Sequence, residues 1–300
     1  MKGIPPPVTD FCLARGYGKI RKATPLGGGS PENGVNNAAR LDTDNGPLFL
    51  KVNAKAPPDM FEREAEGLTA LATAIATMNR RTGWRGPALG VPRALLAGPG
   101  YILQEFLESG PKHDRYWEVL GMQLALMHQT TSDRFGFVND NYIGRTPQIN
   151  TWEANGYRFF ADQRLLYQAD LARRNKKLDA ATYDSLLDLF AKLASLIPPQ
   201  SACLIHGDLW SGNLHTGPDG EPVLIDPAAH YGWAEADLAM LTLFGSPPDS
   251  FFHAYDSVSP LQPGYRERFD LYNLYHLLNH LNLFGENYAS SVRTIVERFI

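Results

Sequence analysis

Cysteine is nearly missing from this chain. Cys12 and Cys203 stand far apart, with no CxxC pair and no Cys/His ligand spacing around them. That scarcity excludes a disulfide framework and a zinc site as organising features, and leaves two reduced, structural thiols as the expectation. Long apolar runs are absent too: nothing approaches the roughly 18 uncharged residues of a membrane helix, and the opening MKGIPPPVTD lacks the apolar stretch of a secretory signal. A cytoplasmic protein that does not engage a membrane is expected. Charge of one sign is equally scarce, with a formal net charge of −4 and Lys and Arg scattered along the chain, so no basic stripe offers itself to nucleic acid. There is no internal repeat, no low-complexity tract, no GxxxxGK[ST] phosphate loop, no zinc-peptidase motif and no G-x-S-x-G hydrolase elbow.

What is present is enough apolar material to fold. Apolar residues make up 44% of 300 positions and charged residues 20%, which suits a globular protein, and the length exceeds the roughly 100–200 residues that one core organises. Two lobes are expected, divided at residues 1–105 and 106–300. The first part carries strand and turn punctuation: glycines at 27–29, an Asp44-Asn45-Gly46 turn, then an alternating run over 47–53. Alternation puts Leu48, Leu50 and Val52 on one face of that strand and Phe49, Lys51 and Asn53 on the other.

A helical pattern follows over 61–72, with Phe61, Ala65, Leu68 and Ala72 as its stripe and Leu71 at the edge of it. Glu64 falls on the apolar face of this helix, whereas Glu62 and Glu66 project away. An inward carboxylate needs a cationic partner. A strand over 101–106 ends the small lobe and Ser109-Gly110-Pro111 reads as a connector. From Tyr116 onward helical stripes dominate: Trp117, Leu120, Leu124 and Met127, then Tyr183, Leu186, Leu187, Phe190 and Leu193. Two short apolar runs, 203–205 and 223–225, each end in a polar cluster, and the turn at 217–220 between them predicts a single hairpin.

Those clusters carry the chemistry. The first reads HGDLWSGN at 206–213 and the second begins at Asp226. Asp208 and Asn213 have the spacing of a kinase catalytic loop, in which the aspartate accepts the proton of the acceptor hydroxyl and the asparagine holds Mg²⁺; Asp226 supplies the second metal oxygen. Phosphoryl transfer asks for such hard ligands, because the charge on the β- and γ-phosphates must be neutralised while the acceptor oxygen is held in line. An Asp-to-Asn spacing alone also occurs in solvated turns. Here a strand lysine, an inward helix glutamate, the Asp/Asn pair and a downstream acid follow in the order of a protein-kinase-like fold.

At these residues the chain resembles the fructosamine (ketosamine) kinase family, relatives of the aminoglycoside phosphotransferases. The blocks that carry the resemblance are GGGSPENG at 27–34, GPLFLKVN at 46–53, FEREAEGLTAL at 61–71, FGFVNDNYIGRTPQIN at 135–150, HGDLWSGN at 206–213 and ADLAMLTLFG at 236–245. Trp210 inside the catalytic loop points to ketosamine kinases rather than aminoglycoside, choline or homoserine kinases. The matched blocks run from about residue 25 to residue 285, leaving only the termini outside.

The resemblance implies an α+β, two-lobe protein-kinase-like fold, with a small sheet-plus-helix lobe and a larger helical lobe, and ATP-dependent phosphorylation of a ketosamine hydroxyl, typically O3, followed by loss of the labile adduct. It implies ATP and Mg²⁺ as cofactors, and a small ketosamine or a glycated protein side chain as partner, in a monomer or weak homodimer. Carried over residue by residue, Asp208 is the proton acceptor and Asn213 and Asp226 are the Mg²⁺ ligands. Lys51 anchors the α- and β-phosphates with Glu64 as its ion pair, Gly28, Gly29 and Ser30 form the phosphate-covering loop, and Gln104 to Leu107 form the connector, with Glu105, Phe106 and Leu107 beside adenine. Two departures matter. Ser30 stands where many relatives carry cysteine, which removes a thiol from that loop, and Asp226-Pro227-Ala228 replaces Asp-Phe-Gly, which removes the phenylalanine switch of regulated protein kinases.

Competing readings are plain. Lys51 without Glu64 is an ordinary strand lysine. His206 is expected to fix the catalytic loop by hydrogen bonding, and His128, His276 and His280 to be packing residues on helices. Trp210 either packs or offers a flat apolar face to the substrate. Glu235 and Asp237 are candidate substrate contacts, with Asp237, on a helix near the catalytic loop, better read as a structural acceptor. A kinase for another small alcohol keeps the same catalytic set with a different acceptor pocket, and a nucleotide-binding scaffold keeps the fold without turnover.

Overall fold

The computed structural model describes residues 3–27 and 36–300. Helix α1 (Pro6–Ala14) opens the chain, followed by β1 (Ile20–Leu26), β2 (Asn37–Thr43), β3 (Gly46–Val52), helix α2 (Met60–Thr82), β4 (Ala94–Gly98) and β5 (Tyr101–Glu105). The five strands form one antiparallel sheet in the order β1-β2-β3-β5-β4. Residues 44 and 45 close the β2–β3 hairpin, as the turn chemistry predicts, with Thr43 opposite Gly46.

Alternation along β3 sorts two cores. Leu48 and Leu50, with Leu103 and Tyr101 of β5, pack against Val8 and Cys12 of α1. The other face presents Ile102 to Phe61 and Leu68 of α2. Lys51 lies opposite Ile102 and Phe49 opposite Gln104, so these polar and aromatic side chains look toward α2 as well.

Helix α2 is nearly twice as long as its sequence stripe. Its 23 residues span about 35 Å at 1.5 Å per residue. The buried positions are Phe61, Glu64, Gly67, Leu68, Leu71, Ala74, Ile75 and Met78, whereas Ala72 is exposed. The stripe therefore follows Leu71 rather than Ala72, and its later residues Leu71, Ala74 and Ile75 enter the core of the larger lobe. One helix thus belongs to both cores.

The larger lobe begins with α3 (Tyr116–Met127) and β6 (Thr131–Ser132), then a hairpin of β7 (Asn141–Ile143) and β8 (Thr146–Gln148). Next comes a continuous helical rod: α4 (Gly156–Arg158), a π-helical segment (Phe159–Leu166) and α5 (Tyr167–Arg174). The chain continues through α6 (Ala180–Leu196), β9 (Ala202–Ile205), a 3₁₀ turn (Ser211–Asn213), β10 (Leu214–Thr216), β11 (Pro222–Leu224) and β12 (His230–Gly232). It ends with α7 (Ala234–Thr242), α8 (Asp249–Asp256), α9 (Tyr265–Phe284), a second 3₁₀ turn (Glu286–Tyr288) and α10 (Ala289–Phe299).

Two expectations need correction. The buried stripe of α6 is Thr182, Leu186, Leu189 and Leu193, while Leu187 is exposed, because one extra residue of rotation carries it off the packed face. The two polar clusters also do not share a hairpin. β9 pairs with β6 and β12, whereas β11 pairs with β10, so residues 206–213 cross from one small sheet to another. The turn at 217–220 joins β10 to β11 instead. No helix among the described residues is long and apolar enough to cross a membrane.

Candidate active site

Strand β3 delivers Lys51 and helix α2 delivers Glu64 to the same point. Lys51 Nζ donates to Glu64 Oε1 at 2.8 Å and Oε2 at 2.9 Å, and to Asp226 Oδ1 at 2.6 Å. Gln104 Nε2 adds a hydrogen bond to Glu64 Oε1 at 3.1 Å. Lys51 and Glu64 are both buried. Burial alone depresses the Lys51 ammonium, but the carboxylates of Asp226 and Glu64 more than offset it and hold its pKa above the ordinary lysine range. Burial pushes Glu64 up, and the Lys51 charge pulls it back.

The loop after β9 is pinned from behind. Asp237, in the first turn of α7, accepts the backbone N–H of His206 at 2.7 Å and of Gly207 at 2.9 Å, and meets His128 Nε2 at 3.3 Å. Burial would raise Asp237, yet these donors and the neighbouring histidines hold it below the usual carboxylate range. It is the structural acceptor its position suggests. His206 Nδ1 accepts the N–H of Asp208 at 3.2 Å while its Nε2 meets the Ile225 carbonyl at 2.9 Å, so the neutral ring ties one cluster to the other. Burial lowers its pKa, consistent with that neutral tautomer. Gly207 has φ +79°, and a Cβ there would sit 2.2 Å from the Ala228 carbonyl oxygen. Only glycine fits.

Asp208 and Asn213 then face each other: Asn213 Nδ2 donates to the Asp208 carbonyl at 2.8 Å and to its carboxylate at 3.1 Å. With the amide nitrogen so engaged, Oδ1 is the free acceptor of that side chain among the described residues. Backbone pairing of Ile225 N–H with the Asn213 carbonyl, at 3.1 Å, sets Asp226 beside them. Asp226 itself adopts φ +55°, a left-handed conformation that sequence spacing does not reveal. Burial pushes the Asp208 carboxyl up to about 7; the Asn213 hydrogen bond opposes the rise and the charges of Asp226 and Asp237 add to it.

Lys51, Glu64, Asp208, Asn213 and Asp226 all line one cleft of about 220 Å³, joined by Trp210, which is partly exposed and packs edge-on against Phe244. A second cleft of about 220 Å³ shares Asp226 with the first and is walled by Glu105, Phe106 and Leu107 together with Phe49 and Leu26. Gln104 and Glu105 are the last residues of β5, so only Phe106 and Leu107 of the expected connector lie beyond the strand. Gly28, Gly29 and Ser30 lie outside the described residues.

Other expectations meet different fates. Glu235 is no substrate contact: it is 3% exposed and bound by Arg268 Nη2 at 2.6 Å, Arg268 Nε at 2.9 Å and the Tyr272 hydroxyl at 3.0 Å. His128 bonds the Tyr255 hydroxyl at 2.8 Å, and His280 lies in a cluster of rings with Phe244, Phe284 and Tyr288. His276 is buried as a packing residue, yet its Nδ1 comes within 4.0 Å of Asp208 Oδ1. Burial lowers its pKa to about 3, so it stands beside Asp208 as a neutral ring. The sequence offers Gln104 only as the start of the connector and assigns Asn141 and Gln148 no individual role; the last two fall inside the block at 135–150, whose density of amides is the available signal.

A strand lysine paired to a helix glutamate, over an Asp/Asn loop and a downstream acid, defines a protein-kinase-like phosphotransferase. The chain belongs to the fructosamine kinase family, whose model matches residues 13–300. It is 41% identical to the chloroplastic protein-ribulosamine 3-kinase of Arabidopsis thaliana, over 98% of this chain and 87% of that one. A crystal structure from Thermobifida fusca, assigned to the fructosamine-3-kinases, superposes with a TM-score of 0.84 at 31% identity over 98% of both chains. The macrolide 2′-phosphotransferase of Brachybacterium faecium shares the fold alone, with a TM-score of 0.56 at 15% identity over 97% of each chain.

Proposed function

We propose that this protein is an ATP-dependent kinase that phosphorylates a hydroxyl, O3, of ketosamines, either small adducts or glycated protein side chains. The observation that carries this reading is the meeting of Lys51, Glu64, Asp208, Asn213 and Asp226 in one cleft, within a chain whose relatives include a protein-ribulosamine 3-kinase. The lobes divide at Glu105/Phe106, and the cleft beside that connector takes the adenine, with Phe49 and Leu26 as apolar walls.

Lys51 binds the α- and β-phosphates, held in place by Glu64. Asp208 accepts the proton of the acceptor hydroxyl; a carboxyl raised to about 7 sits near working pH, where a general base is both available and effective. Trp210 presents its exposed face to the sugar. The carboxylates of Asp208 and Asp226 and the amide oxygen of Asn213 line the cleft together, a hard-oxygen set that suits Mg²⁺, which keeps water and phosphate oxygens in its shell. Asn213 and Asp226 would hold it, and when bound it neutralises charge on the β- and γ-phosphates.

The reading is tested by assaying Mg²⁺-dependent ATP consumption against ribulosamine, erythrulosamine, fructosamine and kanamycin, and locating the new phosphate. Turnover with the ketosamines and phosphate on O3 is expected. Turnover with kanamycin alone, or nucleotide binding without acceptor-dependent turnover, would sink it.

A further inference from the structure

The amide-rich block at 135–150 has no role assigned in the reaction just described, although Asn141, Tyr142 and Gly144 line the same cleft, and the structure spends a large buried polar network on it. Gln148 and Asn150 are 1% exposed and Asn141 5%. Burying amides is costly unless each finds partners, so a connection that only linked β6 to α4 would not be built this way.

The network has two working ends. At one, Asn141 Nδ2 donates to the Ala229 carbonyl at 2.9 Å and Gln148 Nε2 to the Ala228 carbonyl at 3.0 Å. These are the peptides just beyond Asp226, whose left-handed backbone persists only where its surroundings fix it. At the other, the Tyr142 hydroxyl donates to Asp59 Oδ1 at 2.7 Å and Asn139 Nδ2 to the Glu66 carboxylate at 3.1 and 3.2 Å. Asp59, at the N-cap of α2, and Glu66, in its second turn, lie on either side of Glu64 in the chain.

The two ends touch directly. A Cβ on Gly67, one turn beyond Glu64, would lie 3.2 Å from Pro227 Cγ and 3.4 Å from Ala229 Cβ, so α2 rests on the segment that follows Asp226. The hairpin is stiffened from behind: Asn150 Nδ2 bonds Asn141 Oδ1 at 2.9 Å, Arg164 Nη2 bonds Asn150 Oδ1 at 2.7 Å, and the Tyr275 hydroxyl bonds Gln148 Oε1 at 2.8 Å.

We propose that the β7–β8 hairpin is a positioning bracket for the nucleotide site, gripping α2 and the 226–229 segment together and so fixing the gap between Glu64 and Asp226 that Lys51 spans. The proposal rests on the reading of Lys51 as the phosphate anchor. Asn139, Asn141, Tyr142 and Gln148 are positioning residues, and Gly67 is the contact that lets the bracket close. The ion pair is thereby held formed in the resting enzyme, without a phosphorylated loop or a partner to push α2 inward.

The test uses Asn139→Ala and Gly67→Ala in the full chain, since neither position lines the cleft and Asn139 is exposed. KM for ATP and the Kd for nucleotide are expected to rise about three- to tenfold, while KM for the ketosamine stays within about twofold. In a Lys51→Met background the same substitutions should leave nucleotide Kd within about twofold, because the residue they position is gone. Unchanged ATP parameters with a normal response to Lys51→Met would overturn the bracket alone. Equal effects in both backgrounds, or equal shifts in both KM values, would also overturn it, as general loosening. Lys51→Met without effect on nucleotide Kd would instead bring down the site reading, and the bracket with it.

Discussion

Lys51 Nζ lies 2.6 Å from Asp226 Oδ1 although 175 residues separate the two in sequence, and the same ammonium holds Glu64 at 2.8 Å. One buried cation therefore compensates two carboxylates from different parts of the chain.

Removing that cation strands both acids. Lys51→Met is expected to destabilise the metal-free protein by about 3–5 kcal/mol in urea unfolding, the usual result of breaking a buried pair from one side. Adding Glu64→Gln should restore part of the loss. A Lys51→Met protein as stable as the parent would contradict the ion pair.

Asp208→Asn keeps the volume and the Asn213 contact but removes the proton acceptor. A fall in kcat of about 10²- to 10⁴-fold is expected, with nucleotide Kd nearly unchanged in titration calorimetry. Retained turnover would remove Asp208 from the chemistry.

The same residue gives stability a pH dependence. Its carboxyl is raised from 3.8 to about 7 on folding, so between those values the folded chain holds a proton that the unfolded chain has released. Stability therefore falls as pH rises through that window and is flat above it with respect to this group. In metal-free buffer, Asp208→Asn is expected to gain on the order of 3 kcal/mol at pH above about 7, and almost nothing near pH 4. Parallel stability curves for parent and variant would refute the raised carboxyl.

Gly207→Ala places a methyl group 2.2 Å from the Ala228 carbonyl at φ +79°. Backbone must move, and it moves at the residue before Asp208. A loss of about 1–3 kcal/mol in thermal unfolding, accompanied by a fall in kcat larger than any change in either KM, is expected.

Glu235 offers a contrast, being bound to Arg268 and Tyr272 deep in the helical lobe. Glu235→Gln should lower the melting temperature without moving KM for the ketosamine by more than about twofold. A selective rise in that KM would restore it as a substrate contact.

Much of this was legible in the sequence because the informative residues sit where periodicity is strong. Alternation in β3 put Lys51 on a face of its own, and helical spacing turned Glu64 inward, so their pairing followed from two local patterns. The strand partners of residues 203–205 and 223–225 were not legible: a turn between two apolar runs looks the same whether the runs pair with each other or each finds another neighbour. Pairing with β12 and β6 depends on contacts distant in sequence, which local turn chemistry does not encode. The left-handed Asp226 and the nearness of His276 to Asp208 are likewise products of tertiary packing. Leu187 and Ala72 were misassigned because one position of helical rotation decides between core and solvent.

Both thiols of the chain are sealed, Cys12 beneath the sheet on α1 and Cys203 inside β9, and burial raises each above its ordinary pKa. An enzyme that works on sugar adducts thus shows no ready thiol to the electrophilic carbonyls around it. Each thiol becomes reactive only when its own core opens, so the alkylation rates of the two provide separate clocks for the breathing of the sheet and of the strands that carry the catalytic loop.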